Sequence, residues 1–175
     1  MASVQSTTIY REVDQLKKVK LTKGYFALVD NEDYARVIAA GKWYANDYHK
    51  VVYAEKGKTG THKSLHRFIL EVTNPRIKVD HRDNDGLNCQ RHNLRVATTS
   101  QNAQNSRVHK DNSSPYKGVW FNKLNKNWRV RIRVLGRNVE VGSFSSAKKA
   151  AQAYDVAAKQ HFGEFAKLNF PQEEQ

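Results

Sequence analysis

Residues 128–134 read WRVRIRV, an unbroken alternation of arginine with apolar residues. In an extended strand, period two puts Arg129, Arg131 and Arg133 on one face and Trp128, Val130, Ile132 and Val134 on the other. Such a strand needs partners along both edges and a cover for its apolar face. The flanking segments YKGVWF and RNVEVGSF, bounded by Gly, Asn or Lys, read as the two partner strands of an antiparallel meander. The cover follows, as Ala147, Ala150, Ala151, Tyr154, Ala157 and Ala158 recur at spacings of three and four, behind a cap at Ser145 or Ser146 and ahead of Gly163. A stripe of small residues lets this helix lie close on the sheet, leaving the arginine face open.

Charge says what that face is for. The chain of 175 residues carries 30 Lys and Arg against 17 Asp and Glu, a net charge of +13, with a pI near 9.9. Between Arg107 and Ala150, eleven basic side chains face two acidic ones, a local balance of +9. A polyanion is the expected partner. Arg129, Arg131 and Arg133 are placed to reach phosphates and base edges in a major groove, and Lys117, Trp120 and Arg137 extend that surface. A membrane is not expected: no apolar run reaches ~18 residues, and MASVQSTTIY lacks the basic and apolar regions of a signal peptide. The protein is expected in the cytoplasm. A single cysteine, Cys89, rules out an intrachain disulfide and a zinc site built on several thiolates.

The polar segment 107–115, RVHKDNSSP, is the clearest seam. Ahead of it, VKLTKGYFALVD reads as a hairpin turning at Thr22, Lys23 and Gly24, followed by a helix from Asn31 to Ala40 ended by Gly41. Strands return at Lys42 to Asp47 and Val51 to Glu55. A turn at 57–60 closes a further hairpin, and Ser64 caps a short helix carrying Leu65, Phe68 and Ile69. His66 on that helix is read as a packed or surface side chain, and His49, His62, His92, His109 and His161 are given no role.

Residues 79–107 compress strand, polar loop, second strand at Leu94 to Ala97, and a helix capped near Thr99 into a ββα unit. Phosphodiester hydrolysis needs a base for water, a cation at the leaving oxygen, and rigid placement of both. Asp80 and His81 are strand neighbours whose side chains point to opposite sides, which suits a metal ligand on one side of a phosphate and a base on the other. Asn102 on the helix completes an oxygen pair with Asp80 for a hard cation such as Mg²⁺ or Mn²⁺. Asn93 is the candidate that orients His81, directly or by holding the loop.

These residues resemble the HNH homing endonucleases of phages, in the subgroup whose motif reads DH, then N with NL, then N on the helix: Asp80 and His81, Asn93 with Leu94, and Asn102. Upstream, LTKGYFALVD, GKWYA and LHRFIL extend the likeness over residues 19–107. The resemblance implies Asp80 and Asn102 as ligands of one divalent ion, His81 as general base, Asn93 as the brace of the loop, and products with 3′-hydroxyl and 5′-phosphate ends. Where the wider family often has a final His, Asn102 stands here, which disfavours zinc.

A second resemblance covers residues 115–171. YKGV at 116–119, the Trp128 strand, VGSF at 141–144, AAQAYD at 150–155 and LNF at 168–170 are similar to the AP2/ERF DNA-binding domain of plant transcription factors. It implies a three-stranded sheet laid in the major groove of double-stranded DNA and backed by one helix. Lys117 and Arg133 fall on DNA-contact positions of that family, whereas Trp120, Asn138 and Glu140 depart from its usual residues, so the target sequence is expected to differ.

The expected architecture is α+β: an HNH endonuclease domain at 1–107 with its ββα core near 78–107, a linker at 108–114, an AP2/ERF-like domain at 115–171 and a tail at 172–175. The expected activity is metal-dependent cleavage of duplex DNA by a phage-type homing or nicking enzyme acting as a monomer. A DNA-binding regulator with a relic ββα unit and an RNA-binding protein are the competing classes.

Overall fold

The computed structural model describes residues 16–48, 51–57, 62–108 and 111–171. The N-terminal decapeptide, the middle of the turn at 57–60, His49, His109 and the 172–175 tail lie outside them. The fold is α+β, with small antiparallel sheets and few helices. The described residues fall into two compact units, one drawn from Met1–Glu71 and Gly86–Asn93, the other from Val72–Asp85 and Leu94–Gln175. No helix among them is long and apolar enough to cross a membrane.

In the first unit, β1 (Lys17–Lys20) pairs antiparallel with β2 (Phe26–Val29) around a 3-10 turn at Thr22–Gly24, as the turn residues predict. Helix α1 (Asn31–Ala39) follows, then β3 (Tyr44–Asp47) paired with β4 (Val52–Lys56), which pairs with the short β5 (Lys63–Ser64), and α2 (Leu65–Ile69). Val19, Val29, Val37, Trp43, Ala54, Leu65, Ile69 and Cys89 are fully or almost fully buried and form its core. Asp33 is buried among them because Arg36 and Arg91 both reach its carboxylate, each at 2.7 Å. Burial acts to raise its pKa, and the two guanidinium groups outweigh burial and hold the carboxyl below its ordinary value. His66 packs edge-on to Tyr53 with ring centroids 5.7 Å apart.

In the second unit, β6 (Lys78–His81) and β7 (Leu94–Ala97) form an antiparallel pair with Asp80 opposite Arg95 and His81 opposite Leu94. Helix α3 (Thr99–Gln104) is capped by Thr98, one residue before the expected cap. Thr98 and Gln101 form a reciprocal capping box, which satisfies two backbone donors that the first turn would otherwise leave unpaired.

The rest of that unit is β8 (Val119–Asn122), β9 (Asn127–Val134) and β10 (Arg137–Phe144), ordered β10-β9-β8, followed by α4 (Ala147–Phe162) and a 3-10 turn at Gly163–Phe165. Val119, Val130 and Ile132 pack on Ala150, Ala151, Tyr154, Ala157 and Ala158, with Trp128 and Val134 partly buried beside them. This is the packing the alanine stripe predicts. Gly118 is required here: its φ is +71°, and a Cβ would run into the Tyr154 ring. At the end of the seam, Ser114 is buried and its hydroxyl donates to the Val119 carbonyl at 2.8 Å, with Asn112 donating to the same carbonyl at 3.1 Å.

Candidate nuclease motif and basic sheet face

Asp80 and His81 end β6, each about 5% exposed. One oxygen of Asp80, Oδ2, accepts from Arg95 Nε at 2.8 Å and Nη2 at 2.7 Å. The other, Oδ1, accepts from Asn105 Nδ2 at 3.0 Å. The same Asn105 amide donates to the His81 carbonyl at 2.8 Å, and the Asn84 N–H donates to that carbonyl at 3.0 Å. His81 is therefore fixed through its backbone. Burial pushes its imidazole pKa below the ordinary value of 6.5, against the pull of the Asp83, Asp80 and Asp85 charges. A neutral imidazole is the form that accepts a proton.

The other two predicted motif residues are Asn93 and Asn102. Asn93 is buried in the first unit, where its amide donates to the Asn88 carbonyl at 2.8 Å and so braces the 86–93 loop. Asn102 is exposed on α3, and its side chain makes no hydrogen bond to Asp80. The amide that reaches Asp80 is that of Asn105, one turn further along. With its oxygens held by a guanidinium and an amide, Asp80 does not combine with Asn102 into a cation site in this arrangement, so the residues as placed do not fit a two-ligand metal. Among the described residues, no group of three or more His, Cys, Asp or Glu is placed to hold a metal ion.

On the sheet, Arg129, Arg131 and Arg133 share the face away from α4, and Trp120 lies opposite Arg129 on that face. Arg131 stacks over Trp120, its guanidinium carbon 4.8 Å from the ring centroid. The pairing also brings Glu140 opposite Arg131, and its carboxylate takes Arg129 Nε at 2.7 Å and lies 3.9 Å from Arg131 Nε. Arg137 pairs with Val134 and so points to the helix side of the sheet, not to the face of Arg133.

The chain has relatives among known proteins. It is 34% identical, over 84% of its length and 76% of the relative's, to an uncharacterized HNH endonuclease of Acanthamoeba polyphaga mimivirus. The chain belongs to the HNH endonuclease family. Protein 3.8 of Escherichia phage T7 is 30% identical over 51% of the chain and 74% of its own length. An AP2-like ethylene-responsive transcription factor of Arabidopsis thaliana is 41% identical over 58 residues, 33% of the chain but 12% of that much longer protein. No protein-family model matches the chain, and no solved structure does.

Lys117 takes a place in this HNH protein that its sequence position does not announce. Its ammonium donates to the carbonyls of Gln104 and Ser106, at 2.5 and 2.6 Å, closing the C-terminal end of α3. Burial, and then the charge of Lys167, pull its pKa down to about 8. Arg95 and Asn105 are not singled out by sequence, and Glu140 only as a departure from the AP2/ERF pattern. The signals for them are parity and period: Arg95 falls opposite Asp80 once the β6–β7 register is set, and Asn105 lies three residues, hence one helical turn, beyond Asn102.

Proposed function

We propose that the chain is a DNA endonuclease in which His81 is the general base and the open face of the β8–β10 sheet holds the duplex. The observation that carries this is a histidine kept neutral by burial and fixed through its carbonyl, at the motif position of a chain belonging to the HNH endonuclease family. The imidazole takes the proton of the attacking water, and the strand pair with α3 keeps it from turning away as charge builds on the phosphate. Arg131, Arg133 and Trp120 supply phosphate and base contacts. Arg129 is partly neutralised by Glu140 and contributes less charge.

HNH nucleases generally use a divalent metal. Mg²⁺ or Mn²⁺ is the ion proposed here, and Asp80 and Asn102, held apart as described above, are not assigned as its ligands. Residues 1–107 and 115–171 are proposed as the cutting and reading domains, and a homing or nicking monomer acting in the cytoplasm as the working form. The AP2-like relatives support the reading domain over one third of the chain.

The test is incubation of supercoiled plasmid with the protein and Mg²⁺ or Mn²⁺, beside EDTA and His81→Ala controls. Nicking or linearisation lost in both controls supports the proposal. One competing reading draws on a specific observation: the complete engagement of Asp80 by Arg95 and Asn105 favours a DNA-binding regulator whose strand pair is purely structural. Tight duplex binding without cleavage under either metal selects it.

A further inference from the structure

Behind Asp80 the chain of contacts runs on into the segment that follows α4. The guanidinium of Arg95, 7% exposed, lies over the Phe165 ring with its carbon 3.9 Å from the centroid, and Nη1 donates to the Glu164 carbonyl at 2.5 Å. The Glu164 carboxylate lies outside, held by Arg82 Nη1 at 2.7 Å. Gly163, at φ +54°, ends α4 and turns the chain so that Glu164 and Phe165 meet Arg95. All three guanidinium nitrogens of Arg95 donate, Nε and Nη2 to Asp80 and Nη1 to the Glu164 carbonyl, and one face of the fork is covered by an aromatic ring.

We propose that Phe165 and the Glu164 carbonyl are positioning residues for His81, acting through Arg95, Asp80 and Asn105 in turn. The inference rests on the reading of His81 as the base of a nuclease. A buried arginine with an empty side has other rotamers, and each would withdraw donors from Asp80. Asp80 is the acceptor that orients the Asn105 amide, and that amide holds the His81 carbonyl. The sheet-and-helix module thus contributes an outer wall to the strand pair that carries the base. That role is separate from its arginine face, because neither Glu164 nor Phe165 belongs to the sheet.

The experiment uses the full chain with Phe165→Leu, which keeps bulk but removes the ring, and Phe165→Tyr, which keeps the ring. At saturating duplex, single-turnover cleavage by Phe165→Leu is expected to fall between about three- and thirtyfold with the duplex Kd unchanged, and Phe165→Tyr to restore it. In parallel, NMR of the DNA-free protein follows the Arg95 Nε–H and Asn105 Nδ2 resonances, expected to move together in Phe165→Leu and to stay in Phe165→Tyr. Unchanged Asn105 resonances in a folded Phe165→Leu protein overturn the proposal, as does unchanged cleavage at saturating duplex. If the resonances move but the wild-type protein cleaves nothing, the nuclease reading fails and the positioning chain stands.

Discussion

Asp80 and Arg95 are direct cross-strand neighbours, and Arg95 places two N–H groups on a single oxygen of Asp80 at 2.7 and 2.8 Å. Both side chains are almost fully buried, so each is the other's principal compensation for leaving water. Arg95→Ala leaves a carboxylate buried with only amide donors and is expected to lower unfolding free energy by about 3 to 5 kcal/mol. Asp80→Asn should cost less, because Arg95 keeps the Glu164 carbonyl and the Phe165 ring. Urea titration of both variants and of the double variant checks this. A double variant as unstable as the sum of the two singles shows that the pair is not coupled.

For His81, the sign of the pKa shift sets the direction of the pH dependence. Its folded value lies below 6.5, so the unfolded chain binds its proton more readily, and the contribution of His81 to stability is full above 6.5 and declines as pH falls toward the folded value. The neutral base is likewise retained below 6.5. The acid limb of the single-turnover cleavage rate is therefore expected below pH 6.5, and His81→Ala is expected to abolish cleavage while leaving duplex affinity nearly intact. Strong residual cleavage by that variant removes His81 from the role.

Local patterns carried the fold, and long-range register carried what the sequence hid. The alternation around Val130 and Ile132 and the alanine stripe at Ala150 to Ala158 state sheet and helix directly, since each is a period that one buried face imposes. His81 stood out because an adjacent carboxylate and imidazole in a ββα frame are a recognisable chemical pattern. The partner of Asp80 did not, because identifying Arg95 needs the alignment of two strands separated by a twelve-residue connection. Glu140 is legible in the sequence only as a departure from the AP2/ERF pattern, and strand pairing is what shows that it faces Arg131. Lys117 is the opposite case: its basic charge suits DNA, and the structure adds a place its sequence position does not show, with the ammonium on the carbonyls at the end of α3.

On the basic face, the carboxylate of Glu140 competes with phosphate for Arg129. Glu140→Gln is expected to tighten duplex binding at low salt and to steepen the dependence of log Kd on log salt by about one unit, as one more arginine becomes available for counterion release. Arg133→Ala should shift the slope the other way by about one if it meets a phosphate, or cost about 1 to 3 kcal/mol at one sequence position if it reads a base. Binding isotherms at several salt concentrations separate these. An unchanged slope and affinity in both variants discards this face as the DNA surface.

Lys117 supplies the contrasting case. With its ammonium on the Gln104 and Ser106 carbonyls, Lys117→Met is expected to leave the salt dependence of DNA binding unchanged, where Arg133→Ala alters it. Its effect should appear in stability instead. The folded value of about 8 lies below the ordinary 10.5, so across that window the unfolded chain holds the proton that the folded chain has lost. Stability from this group therefore rises as pH increases from about 8 to 10.5, because the cost of burying the charge disappears. Urea midpoints of wild type and Lys117→Met across the alkaline range read this directly: the wild type should gain on the variant as pH rises. A constant difference would mean that the Lys117 amine keeps an ordinary pKa, and a reduced salt slope in the variant would return Lys117 to the DNA surface.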